Sequence, residues 1–146
     1  MGFYKKGKDS KNNWIYFHER DYCFYRVGFY DNILKEDKMS LYVEISGSIN
    51  DEFDGEKYLP RVLRDLRKAG VVSDQKLVSY SFVIMDPAYV HINARSEKDK
   101  IEKIEQLNHL DIYSIGRYGA WKYCSIEDNI SEARELAHAL NSANLR

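Results

Sequence analysis

Three aromatic and β-branched runs crowd into the first 46 residues of this chain: WIYFH at 14–18, CFYRVGFY at 23–30 and SLYVEIS at 40–46. The third sets Leu41, Val43 and Ile45 against Tyr42 and Glu44, the two-residue period of a strand with one apolar and one wet face. Separated by the polar ERDY and the charged DNILKEDKM, the runs read as three antiparallel strands. From Glu56 to Ala69 the period changes: Tyr58, Leu59, Val62, Leu63, Leu66 and Ala69 fall at helical spacing, and Gly70 stands where a helix C-terminus is capped. Pro60 is tolerable there only near the first turn. LVSYSFVIM at 77–85 predicts a further strand, and DPAYVHIN after it a short strand or loop. Ser96 with Asp99 forms a capping-box pattern ahead of Ile101, Ile104 and Leu107, which predicts a second helix. DIYSIG at 111–116 reads as a short strand, and Ser125 with Asp128 as a second capping box ahead of Ile126, Ile130, Ala133, Ala137 and Leu140, all on one helix face. The expected fold class is α+β, an antiparallel sheet with about three helices.

Composition narrows the function. The 146 residues are the length of one ordinary domain. No apolar run approaches the roughly 20 residues of a membrane helix, and MGFYKKGKDSKNN has no apolar core to make it a signal peptide, so a cytoplasmic location is expected. With 22 basic against 23 acidic residues the net charge is -1. No general basic excess draws nucleic acid or acidic membrane, and any anion site must be local. Cys23 and Cys124 lie far apart, outside any CxxC pair, and read as reduced thiols. His18, His91, His109 and His138 have no ligand spacing, so no metal site is expected. The 12 tyrosines are unusual. Tyrosine has an apolar body and a polar tip, which suits the wall of a wet cleft as well as a strand.

One stretch concentrates these features. SIGRYGAWKYCSIEDNI, residues 114–130, runs from strand through a glycine turn and an aromatic loop to a helix N-terminus. A helix N-terminus exposes unpaired N–H groups and the positive end of the dipole, and so suits an anion or an electron-rich carbonyl. Arg117 and Lys122 add full charges, Gly116 and Gly119 let a ligand approach the backbone, and Tyr118, Trp121 and Tyr123 add planar surfaces. A phosphate attached to a flat ring would fit; so would a plain structural loop with aromatic plugs and solvated cations. GRYG is neither a Walker nor a Rossmann glycine motif, and neither motif occurs elsewhere in the chain.

Together, WIYFHERDYCFYRVGFYDN near the start and SIGRYGAWKYCSIEDNI near the end resemble the C-terminal portion of UDP-galactopyranose mutases and their relatives in the flavin amine-oxidase superfamily. The resemblance spans most of residues 14–140. It implies an FAD-dependent protein in nucleotide-sugar or surface-polysaccharide metabolism with a nucleotide-sugar substrate. It also implies that residues 1–111 belong to a substrate-side antiparallel sheet region, while 112–146 supply a final strand and helix that return to the FAD-binding domain. The family's dinucleotide fingerprint is absent from this sequence, so the chain is expected to be a fragment that binds FAD poorly and is inactive alone. Self-association is left open.

The resemblance also assigns roles. Arg26, in FYRVG, matches an arginine near the flavin and the sugar diphosphate, where a guanidinium offers planar two-point donation; read from the residues alone, it is as well explained as a strand arginine paired with Glu19 or Glu44. Arg117 matches the arginine of a Gly-Arg motif at the FAD diphosphate or ribityl chain, with Gly116 permitting close approach. Tyr123, and with it Tyr89, match tyrosines that bind the substrate diphosphate. Ser125 would cap the last helix and aim the amide of Ile126 at the flavin pyrimidine oxygen. Two rivals stand beside this reading. One is a relative that oxidises an amine or a porphyrinogen; the other is an aromatic sheet binding single-stranded nucleic acid, which the neutral net charge disfavours.

Overall fold

A computed structural model of the chain describes residues 1–48 and 50–144. It divides into two compact units, Met1–Ile84 and Met85–Arg146.

The first unit holds the expected meander. After β1 (Gly2–Phe3), the strands β2 (Trp14–Tyr16), β3 (Arg26–Phe29) and β4 (Leu41–Glu44) pair antiparallel in the order β2-β3-β4. Val27 lies between Ile15 and Val43, and Arg26 between Tyr16 and Glu44. Because side chains alternate across a sheet, the first set turns to the core and the second to the opposite face. Val27, Phe29 and Leu41 are buried with Phe3, Phe24 and Met39. Helix α1 (Tyr30–Leu34) occupies the first part of the charged DNILKEDKM segment between β3 and β4. Its Asp31 is buried, accepts a hydrogen bond from the Ser40 amide at 3.1 Å and faces the Lys6 ammonium at 3.7 Å.

Helix α2 (Gly55–Lys68) covers the sheet's apolar side with Val62 and Leu66, both in the core. Asp54 caps it by accepting from the Glu56 and Lys57 amides. At its other end Gly70 adopts φ +71°, while the Val71 amide donates to Leu66 and the Gly70 amide to Arg67; together these bonds make a Schellman ending. Pro60 lies within the helix just past its first turn. Asp65, on the inward face and 1% exposed, accepts from the Cys23 amide at 2.9 Å and from Arg64 Nε at 3.0 Å, which fixes α2 against the start of the second strand run. The strand expected over 77–85 is confined to β5 (Leu77–Ser79), whose partner is β1. Residues 80–85 have no neighbouring strand to bond to among the described residues, so they stay irregular.

The second unit contains α3 (Ala94–Asn108), α4 (Gly116–Gly119) and α5 (Ile126–Asn144). Helix α3 begins earlier than expected: the capping box joins Asn93 to Ser96, and Asp99 instead forms an i,i+4 pair with Arg95 at 3.7 Å. The strand expected over DIYSIG does not form, because among the described residues no other strand pairs with 112–115 to complete its hydrogen bonds. The glycine turn after it is the short helix α4. Among the described residues the expected three helices are present as α2, α3 and α5, and two more, α1 and α4, are only 5 and 4 residues long. Val90 and Cys124 are the buried apolar side chains among the described residues of this unit, whereas the core cluster lies wholly within residues 3–72. No described helix is long and apolar enough to cross a membrane.

Candidate functional site

Six of the seven residues singled out from the sequence, Tyr89, Gly116, Arg117, Tyr123, Ser125 and Ile126, fall in the second unit; Arg26 falls in the first.

The loop 116–125 is shaped by its own backbone and by α5. Gly116 turns the chain at φ +83°, and its amide donates to Glu132 Oε2 at 2.9 Å. The Arg117 amide donates to Asn129 Oδ1 at 3.1 Å, and Asn129 Nδ2 in turn donates to the Ser125 carbonyl at 2.7 Å. Lys122 Nζ reaches the other oxygen of Glu132 at 2.8 Å. Two side chains one turn apart on α5 therefore pin both ends of the loop. The hydrogen bond from Lys122 holds the Glu132 carboxyl below its ordinary range, and the same bond raises the lysine. A Cβ on Gly116 would stand 2.8 Å from Asn129 Oδ1, so packing within the chain already demands glycine there. Trp121 has φ +44°, a region bulky residues seldom enter. Its indole N–H donates to the His91 carbonyl at 3.1 Å, and the Tyr118 hydroxyl donates to the Ala88 carbonyl at 3.0 Å.

Those last two bonds straddle Tyr89 and deliver it to the loop. The Arg117 guanidinium lies 5.9 Å from the Tyr89 ring centroid and 4.9 Å from that of Tyr123, within cation–π range of both. Arg117 Nε and Nη2 donate to the Cys124 carbonyl at 3.1 and 2.5 Å. A carbonyl orients the guanidinium without cancelling its charge. Among the described residues Arg117 has no carboxylate partner, and the hydroxyls of Tyr89 and Tyr123 have no hydrogen-bond partner. The structure thus brings Tyr89, Arg117 and Tyr123 together as one cation and two unengaged phenols, with Tyr123 72% exposed. That donor set fits a phosphate or diphosphate.

Ser125 and Ile126 open α5 beside this group. The Ser125 amide and hydroxyl both donate to Asp128 Oδ2 at 2.7 Å, and the Asp128 amide donates back to Ser125 Oγ at 3.1 Å, the reciprocal box expected there. The Ser125 amide lowers the Asp128 carboxyl below its usual range. No described group accepts from the Ile126 amide.

Arg26 has a different environment. Its Nη2 donates to Glu44 Oε1, its Nη1 to the Tyr16 hydroxyl at 2.8 Å, and its guanidinium lies 5.4 and 5.9 Å from the rings of Tyr16 and Tyr42. The Glu44 hydrogen bond raises its pKa further. Asn129, Glu132 and Glu44 are the residues that reasoning from sequence did not place in a site. The first two read as ordinary polar positions of α5, although their i,i+3 spacing directly after a Gly-Arg loop was a usable signal.

Two clefts lie elsewhere in the first unit. One, of about 440 Å³, is lined by Asp54, Glu56, Tyr80 and Phe82; the other, of about 370 Å³, by Phe17, Tyr22, Cys23, Tyr58 and Arg61. Neither includes a residue singled out above. Among the described residues no three His, Cys, Asp or Glu side chains converge as metal ligands do.

No family model and no curated protein matches this sequence. Among solved structures, a reduced UDP-galactopyranose mutase matches with a TM-score of 0.65 at 24% sequence identity. The two share a fold. The match covers 84% of this chain and 27% of the mutase chain, so the 146 residues correspond to a minor part of that protein. The α+β architecture implied by the two motifs is therefore the one observed.

Proposed function

We propose that this chain contributes the diphosphate-facing and flavin-facing elements of an FAD-dependent protein acting on a nucleotide sugar, as a UDP-galactopyranose mutase does. The observation that carries the reading is Arg117: a guanidinium oriented by a carbonyl, flanked by two tyrosines and paired with no carboxylate among the described residues. Lys122 is neutralised by Glu132, so Arg117 is the cation this loop offers to an incoming anion. In this reading Arg117 neutralises a cofactor phosphate, and the Tyr123 and Tyr89 hydroxyls hold the substrate diphosphate. Gly116 gives the loop its turn, while Ser125 and the Ile126 amide face the flavin pyrimidine edge at the positive end of α5. Bound FAD would supply the ring chemistry at the sugar, and the chain's own part is binding, orientation and charge neutralisation.

The sparse core of the second unit supports a further element of this reading: a flavin-binding polypeptide outside these 146 residues covers it. Ile126 is 80% exposed, and Ile112 and Ile130 are also open to solvent. Nucleotide-sugar or surface-polysaccharide metabolism in the cytoplasm is the setting this reading implies.

A UDP titration followed by tyrosine fluorescence tests it. The chain is expected to bind UDP weakly, Tyr123→Phe to lose at least about tenfold in affinity, and purified chain to carry little FAD. Equal binding by wild type and Tyr123→Phe, or stoichiometric FAD retained by the isolated chain, would refute the assignment.

A further inference from the structure

The small sheet of the first unit ends in an open edge. β5 pairs with β1 alone, so its other side meets no strand among the described residues, and beyond Ser79 the backbone of 80–85 has no ladder on either side. The run LVSYSFVIM at 77–85 holds no charged residue, glycine or proline. That is the composition of a strand that pairs with another strand. Part of the run is anchored: the Tyr80 hydroxyl donates to Glu56 Oε1, and a Cβ on Gly55 would stand 2.7 Å from Phe82, so both aromatics lean on the start of α2. Val78, Val83, Ile84 and Met85 are instead between 63% and 76% exposed.

This edge is complementary to itself. When two copies lie antiparallel with Ser81 opposite Ser81, Tyr80 meets Phe82, Val78 meets Ile84 and Leu77 meets Met85, each twice by symmetry. One step further out, Lys76 meets Asp86 at both ends. Both are exposed, and neither has an ion-pair partner among the described residues. The charge match selects the register. Centring the pair on Tyr80 or Phe82 would set Lys76 against Ile84 or Ala88 and lose both charge pairs. Pro87, with no N–H to donate, ends the ladder directly after Asp86.

We propose that residues 76–86 are a self-complementary edge through which two copies of this chain join as antiparallel strands centred on Ser81. The shared ladder gives the backbone of 80–85 the partners it lacks within one chain. Val78 and Ile84 cover one another across it, and the two Lys76–Asp86 pairs hold the register against sliding. The contact uses the same patch on both copies, so it closes at two instead of growing into a fibre. No residue of the Arg117 loop enters this register, so the dimer forms or fails independently of any ligand at that loop.

Sedimentation equilibrium of the full chain, combined with amide hydrogen exchange over 80–84 at low and high protein concentration, tests it. A monomer–dimer equilibrium is expected, with amides of 80–84 exchanging at least about tenfold more slowly once the dimer fills. Lys76→Glu sets like charges against each other at both ends and should weaken dimerisation at least about tenfold. Lys76→Glu with Asp86→Lys exchanges the two charges and should restore the affinity to within about threefold of wild type. Both positions are exposed, so these variants keep the fold. A chain that stays monomeric at every concentration overturns the proposal and leaves the edge to a strand of another polypeptide. Association that Lys76→Glu leaves unchanged, or a double variant that dimerises no more tightly than Lys76→Glu alone, overturns it as well.

Discussion

Gly116→Ala provides a quantitative test of how the Arg117 loop is held. Two costs follow from the structure. The residue sits at φ +83°, and an L side chain there costs about 1 kcal/mol relative to glycine. The new Cβ would also lie 2.8 Å from Asn129 Oδ1, and Asn129 is not free to yield, since it accepts from the Arg117 amide and donates to the Ser125 carbonyl. Moving it forfeits two hydrogen bonds of about 1 kcal/mol each, for a total near 3 kcal/mol. Asn129→Ala alone should cost about 2 kcal/mol through the same two bonds. In the double variant only the backbone cost is added, so the pair should be non-additive by about 2 kcal/mol. Hydrogen exchange of the Lys122 amide, which donates to the Arg117 carbonyl at 3.0 Å, reads the loop without touching either mutated group. Its exchange should accelerate by about 100-fold in Gly116→Ala. Additive effects, or Gly116→Ala exchange within about threefold of wild type, would show that Asn129 does not key this turn.

Other outcomes follow from the first unit. Asp65→Ala strands the half-buried Cys23 amide and should destabilise by about 2 kcal/mol in urea unfolding, with Asp65→Asn losing less because an amide oxygen can still accept. Burial alone would raise the Asp65 carboxyl, but the Cys23 amide and Arg64 outweigh it and hold its pKa below the ordinary 3.8. A depressed folded-state value means its contribution is fully present above the unfolded value and is lost as pH falls through the folded one. Wild type and Asp65→Asn stabilities should therefore converge below about pH 3.8, and a gap that persists into acid would contradict this. Gly28→Ala drives a methyl into the Tyr42 ring and should cost about 1–3 kcal/mol while shifting the Arg26 side-chain resonances; unshifted resonances would count against the stacking. The Cys23 thiol is pushed up to about 11, first by burial and then by its hydrogen bond to Asp65. Iodoacetamide at pH 8 should therefore label it far more slowly than a free cysteine peptide, and an equal rate would refute the burial argument.

The meander was legible because its evidence is local. Leu41, Val43 and Ile45 against Tyr42 and Glu44 carry a two-residue period whatever lies elsewhere, and Leu63, Leu66 and Gly70 mark a helix and its end within one turn. The misses have non-local causes. The β1 strand is two residues long and exists because Gly2 and Phe3 pair with Ser79 and Leu77, a contact no window of sequence contains. DIYSIG has the composition of a strand, but composition cannot provide the neighbouring backbone that a strand requires. At the start of α3, Asn93 and Ser96 are both capping residues, and the earlier one has its partner three positions on, so the pattern built on Ser96 and Asp99 was displaced by a better box of the same kind.

The site divides along the same line. Arg117 and Tyr123 were legible together because they stand in one loop, and Tyr89 joins them through two backbone carbonyls that only the folded chain shows. The neutralisation of Arg26 by Glu44 was foreseeable as one of two pairings, and the register of β3 with β4 selected it. Apolar periodicity has the complementary weakness. Ile126 and Ile130 repeat on one face of α5 as a packed helix requires, yet both are exposed, because the period records that a face is apolar and not which surface it meets. A unit with two buried apolar side chains among its described residues gains little from hydrophobic burial, so polar bonds, with Asn129 and Glu132 at the two ends, must hold the Arg117 loop. Apolar cover over α5 should therefore slow opening of that loop even when it makes no contact with Arg117, and a Lys122 amide whose exchange stays unchanged when a partner polypeptide covers Ile126 would disprove the link.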